Sequence, residues 1–143
     1  MANRVDFDFP MFDKLKKQLE EIDGGALDNA IETALKESHA FVTGQLEQAI
    51  APHKRTGKTA GTLDKVPEVI KDGTEYYTDV GFDINQGGLA SIFLMYGTTV
   101  HGQPHITPDM NLFNAIYGNA TKKRVTEIQE NAFFKVIEEA MNK

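Results

Sequence analysis

Apolar side chains recur along this chain with two different periods, and each change of period marks an element. Met11, Phe12, Leu15, Leu19 and Ile22 stand three and four residues apart, which predicts a short amphipathic helix over 10–22. Pro10 suits its first turn, where no amide hydrogen bond is lost, and Asp23-Gly24-Gly25 breaks the pattern. A better stripe starts at Leu27 and continues through Ala30, Ile31, Ala34, Leu35, Phe41, Val42, Leu46, Ala49 and Ile50. Asp28, Glu32, Lys36, Glu37 and Gln48 form its polar complement. That one-sided pattern predicts a helix of about two dozen residues, stopped before Pro52.

The period then changes. Residues 51–65 hold one large apolar residue, Leu63, too little to offset the entropy of ordering the stretch. A mobile loop is expected there, of the length that tends to be functional or disordered. Val66–Lys71 and Thr74–Ile84 flank Asp72-Gly73, a pair suited to a type I′ turn, and so predict a hairpin. Tyr76, Thr78, Val80, Phe82 and Ile84 alternate with Tyr77, Asp79, Gly81 and Asp83, the period of a strand with one buried face. Pairing across the turn sets Val69 opposite Tyr76, and Pro67 makes the first strand an edge or frays its start.

After the loop Asn85-Gln86-Gly87-Gly88, the apolar block Leu89–Tyr96 fits helix or strand equally, and 97–107 should be extended. Thr107-Pro108-Asp109 then starts a final helix: a hydroxyl N-cap, proline in the first position and an acid against the dipole. Its stripe runs from Leu112 and Phe113 through Ile116, Tyr117, Val125, Ile128 and Val136 to Ala140, with Gly118-Asn119 a place to kink or split. The order is helix, helix, hairpin, short element, helix. It predicts an α+β fold: two or three amphipathic helices packed on a small antiparallel β-sheet containing the type I′ hairpin, in a single domain over 1–143. A lone hairpin is marginal in water, so the sheet is expected to gain strands from 89–106 or from a neighbouring subunit.

Composition narrows the function classes. Of 143 residues, 41% are apolar and 25% charged, ordinary for one globular domain. No apolar run approaches the roughly 18–20 residues of a membrane helix, and Met1–Asp6 lacks the apolar block of a secretory signal. The absence of cysteine removes disulfides and thiolate chemistry. With 15 basic against 21 acidic residues the chain carries −6, the wrong sign for a protein whose task is gripping DNA.

Candidate chemistry is sparse. Gly57-Lys58-Thr59 resembles the end of a phosphate-binding loop, but Pro52 stands where the first glycine belongs, and a helix precedes it instead of a strand. His101, His105 and Asp109 are four apart, yet Gly102, Pro104 and Pro108 forbid the helix that would align them as metal ligands. His39 reads as a helix-surface residue and His53 as a loop residue. Ser38 and Ser91 lack the context of an activated nucleophile, and Glu20-Glu21 and Glu138-Glu139 read as solvated faces. No catalytic residue, cofactor or metal site is expected. His53, Lys54, Arg55, Lys58 and Lys65 make the one local reversal of charge, without interleaved aromatics for stacking on bases.

Three stretches nevertheless resemble a known family: Arg55-Thr56-Gly57 after a long helix, a strand ending Val80-Gly81, and Tyr96-Gly97-Thr98 followed by Gln103-Pro104-His105-Ile106-Thr107-Pro108. Over roughly 25–141 the chain is similar to the neck or tail-completion proteins (minor tail components) of phages with long non-contractile tails. His105-Ile106 stands where members show an aromatic-leucine pair, and Thr59 where they show a leucine. The resemblance implies a non-enzymatic head-tail joining domain, in the virion at the head-tail junction after assembly in the host cytoplasm. Its partners would be copies of itself in a ring, a hexamer, together with other neck, connector and tail proteins. DNA would only pass through the lumen. Lys54, Arg55, Thr56, Gly57 and Lys58 would be the partner-contact loop, and Gly81, Tyr96, Gly97, Thr98, Pro104 and Pro108 the packing residues of the motif. On residues alone, a protein-binding adaptor outside phage and a small metal-dependent hydrolase using His101, His105 and Asp109 stay open.

Overall fold

The computed structural model describes residues 3–5, 14, 17, 24–53, 57–72 and 75–141. Within them the chain is α+β, and its spine is helix α1 (Gly24–Ile50), about 40 Å long at 1.5 Å per residue. The predicted stripe faces inward: Ala30, Ile31, Ala34, Leu35, Val42, Leu46 and Ile50 are buried, while Asp28, Glu32, Lys36, Glu37 and Gln48 are exposed. Of the helix expected over 10–22, only Lys14 and Lys17 are described, both helical and exposed.

Three short antiparallel strands form the main sheet, in the order β1 (Asn3–Val5), β3 (Glu75–Val80), β2 (Ile70–Asp72). Two expectations are corrected here. The third strand comes from Asn3–Val5, not from 89–106, because that later segment pairs with itself. The hairpin register also differs: Lys71, not Val69, stands opposite Tyr76, and Asp72 pairs with Glu75. A two-residue shift preserves the face, so Val69 still packs on the core. The turn itself, Gly73 and Thr74, lies outside the described residues. Thr78, Val80 and Phe82 are buried as their alternation requires. β2 is the edge strand that Pro67 forecasts, though it begins only at Ile70.

The ambiguous block 89–96 is helix α2 (Leu89–Tyr96), and 98–106 is a separate hairpin of β4 (Thr98–Val100) and β5 (Gln103–Ile106). The last helix is divided into α3 (Met110–Tyr117) and α4 (Asn119–Met141). The break is built by Gly118, which is extended at ψ 149, and by Thr121, whose hydroxyl donates to the Asn114 carbonyl at 2.8 Å. The N-cap of α3 is Asp109, not Thr107: its carboxylate accepts from the Asn111 and Leu112 amides at 2.9 and 3.3 Å. Asp outranks Thr as a cap, and Pro108 then lies outside the helix.

The core has two parts strung along α1. Its first half packs on Ala132, Phe133 and Val136 of α4, with Val69 and Tyr76 at the margin. Its second half meets Leu63, Val80, Phe82, Met95, Leu112 and Ala115. Each large side chain buried this way contributes roughly 1.5–3 kcal/mol. Polar residues separate the parts: Ser38, His39, Thr43, Thr78 and Gln129 are all buried. His39 thus departs from the surface position expected of it. It falls on the stripe, four after Leu35 and three before Val42, and the helix carries it inward.

Candidate functional site

Segments from 57–64, 81–88, 93–97 and 106–112 come together around the close of α1. Of the stretch 51–65, expected as a mobile loop, the described residues 51–53 and 57–65 include local structure. Ala51–His53 and Ala60–Thr62 are 3-10 turns, the Gly61 amide donates to the Gly57 carbonyl at 2.9 Å, and Leu63 is buried in a bridge to Phe82. One apolar anchor suffices because β3 supplies the partner backbone: Asp64 N–H donates to Gly81 O, and Asp83 N–H to Thr62 O, both at 2.9 Å. Lys54, Arg55 and Thr56 lie outside the described residues. Gly57 is left-handed at φ +76, the conformation glycine adopts without strain. Lys58 is exposed and lays its stem on Gly87. Gly57-Lys58-Thr59 leads into a 3-10 turn rather than an α-helix, so it does not form a phosphate-binding loop.

Gly81, at φ +123, is buried where the chain turns out of β3. Gly97, at φ +73, ends α2, and a Cβ there would stand 2.6 Å from the Ile106 carbonyl and 2.8 Å from Pro108. This contact closes the base of the β4–β5 hairpin. Thr98 opens β4 with its hydroxyl buried and without a hydrogen-bond partner. Pro104 on β5 and Pro108 are exposed. Tyr96, expected to serve packing, is 55% exposed. It meets Phe113 edge-on, with ring centroids 5.8 Å apart, and Phe113 lies 5.1 Å from Tyr117. Burial, together with a hydrogen bond to Tyr96, pushes the Tyr117 phenol up to about 12.

One contact escapes a reading by spacing. His53 Nε2 donates to Asp109 Oδ2 across 56 positions, tying the end of α1 to the N-cap of α3. That hydrogen bond is the largest influence holding the Asp109 carboxyl below its ordinary range, and the Leu112 and Asn111 amides act in the same sense against partial burial. The backbone adds a second tie, Asp109 N–H to Leu94 O at 2.7 Å. His101 sits left-handed at φ 53 in the tip of the hairpin, and His105 is exposed. Among the described residues no group of three or more His, Asp or Glu is arranged to hold a metal ion. A cavity of about 440 Å³ opens beside the latch, lined by Pro52, His53, Thr59, Phe93, Leu94 and Ile106 among others.

The result is a buttressed corner from which the hairpin projects. The hairpin's residues 99–105 are all exposed, and among the described residues no helix is long and apolar enough to cross a membrane. No protein-family model matches the chain, and no curated protein or solved structure matches it either.

Proposed function

We propose that this chain is a structural subunit of a tailed-phage virion, acting without catalysis at the head-tail junction as part of a neck, tail-completion or tail-terminator ring. One observation carries the reading. The β4–β5 hairpin, held at its base by the close approach of Gly97 to Ile106 and Pro108, leaves residues 99–105 exposed. Two strands alone are marginal in water, and an element so placed gains its full stability from another chain. The charge supports the same reading. Six copies at −6 each carry about −36, so a lumen lined by them lets DNA slide without adhering.

The basic segment that contains Arg55 and Lys58 is proposed to dock on acidic groups of an adjacent ring. The test uses heads and tails from a phage stock lacking this protein. Added protein should join them, seen as whole particles by electron microscopy and as recovered infectivity. The double variant Arg55→Glu/Lys58→Glu should keep its far-ultraviolet circular dichroism yet fail to join. Undiminished joining by that variant removes the docking role, and no joining by the unaltered protein removes the reading itself.

A further inference from the structure

Charge is distributed along this chain very unevenly. Of its 15 basic and 21 acidic residues, one alone falls between Asp83 and Lys122, and that one, Asp109, is engaged by His53. The uncharged segment comprises α2, the β4–β5 hairpin and α3. It also carries most of the large apolar side chains exposed among the described residues: Leu89, Phe93, Tyr96, Val100 and Met110, with only Val66 and Phe134 elsewhere. Leu89, Phe93 and Tyr96, four and three apart, make an outward stripe on α2, while Ser91 and Met95 bury its other face. The hairpin lacks the charged side chains that normally guard exposed strand edges. Pro104 removes a donor from β5, which leaves β4 the edge better able to pair.

We propose that this uncharged face binds a second copy of the same chain, the α2 stripe of one copy receiving the hairpin of the next. Each copy carries −6, so most ways of bringing two together set acid against acid. Residues 84–121 are where the approach costs no such repulsion. Nucleic acid would demand cations that this face lacks, and a basic partner would settle on the acidic remainder instead. Stripe and hairpin are different surfaces, so their pairing is head-to-tail, the geometry that closes into rings. The cavity bounded by Phe93 and Ile106 gives an incoming side chain a place to enter.

This surface rests on the assembly reading above but is tested apart from it. Sedimentation of the purified full chain should show concentration-dependent association beyond a dimer. Phe93→Glu/Val100→Glu alters two exposed positions, so the fold should persist by circular dichroism while association weakens about 100-fold or more. Because the chain has no cysteine, Phe93→Cys and Val100→Cys proteins can be made singly and mixed under mild oxidation. A mixed disulfide dimer should exceed either homodimer. A chain that stays monomeric, a charged variant that associates normally, or the absence of the mixed cross-link each overturns the proposal. Association lost in Phe93→Glu/Val100→Glu, by a protein that never joins heads to tails, would spare this surface and defeat the phage reading. Joining that survives with a face shown not to self-associate would do the reverse.

Discussion

Two residues show how a single position governs stability here. His39 is fully buried, its Nδ1 3.3 Å from the Thr43 hydroxyl and its Nε2 without a partner. Burial lowers its pKa below the ordinary 6.5, and the Asp64 carboxylate only partly opposes this. As pH falls through 6.5 the unfolded chain takes up a proton that the folded chain refuses, so stability held above that value drains away below it. Between neutral pH and the onset of carboxylate titration stability should therefore decline as pH falls. His39→Gln should flatten that decline, as read by urea unfolding at several pH values; an unchanged slope would assign the effect elsewhere. Gly97 acts through backbone. Its φ of +73 and the nearness of Ile106 O and Pro108 leave no room for a methyl group. Gly97→Ala should therefore cost about 1–3 kcal/mol, measured as a lowered unfolding midpoint. Stability equal to the parent would mean that the hairpin base is slack.

Among elements, the joint between α1 and α3 decides where the hairpin stands. Asp109 serves both sides, capping α3 and accepting from His53. Asp109→Ala removes cap and latch and should cost about 1 kcal/mol or somewhat more. Asp109→Asn keeps a good cap and loses only the charge opposite His53, so it should fall between the two. The sign with pH follows from the lowered Asp109 pKa: its contribution is complete above 3.8 and vanishes as pH falls through the folded-state value. The gap between parent and Asp109→Asn should accordingly close in acid, seen by thermal unfolding at two pH values. A gap that persists in acid would show the carboxylate charge to be irrelevant. Spacing alone grouped Asp109 with His101 and His105; the fold gave it His53 instead. A contact across 56 positions leaves no periodic trace, so no reading of neighbours could find it.

For the molecule as a whole, the consequence lies in how a remainder of net negative charge accompanies one uncharged face. If copies meet there, their other surfaces still repel across the gap, and salt should screen that repulsion. Raising salt from about 0.05 to about 0.5 M should strengthen self-association, the opposite of an ion-paired interface. Weakening by salt, measured by sedimentation, would point to charged contacts instead. The long helix ending at Ile50, the helical stretch from Met110 to Met141, the strand alternation at 76–82 and the α+β class were legible in sequence, because periodicity belongs to a segment alone and survives any partner. The pairing of Asn3–Val5 with β3, the two-residue shift of the hairpin, the burial of His39 and the ordering of 57–63 on β3 were not. Each depends on which distant segment arrives alongside, and a hydrogen bond or a buried face is satisfied equally well in the sequence record by several candidates. Packing chooses among them, and the arrangement adopted closes both halves of the core along α1 at once.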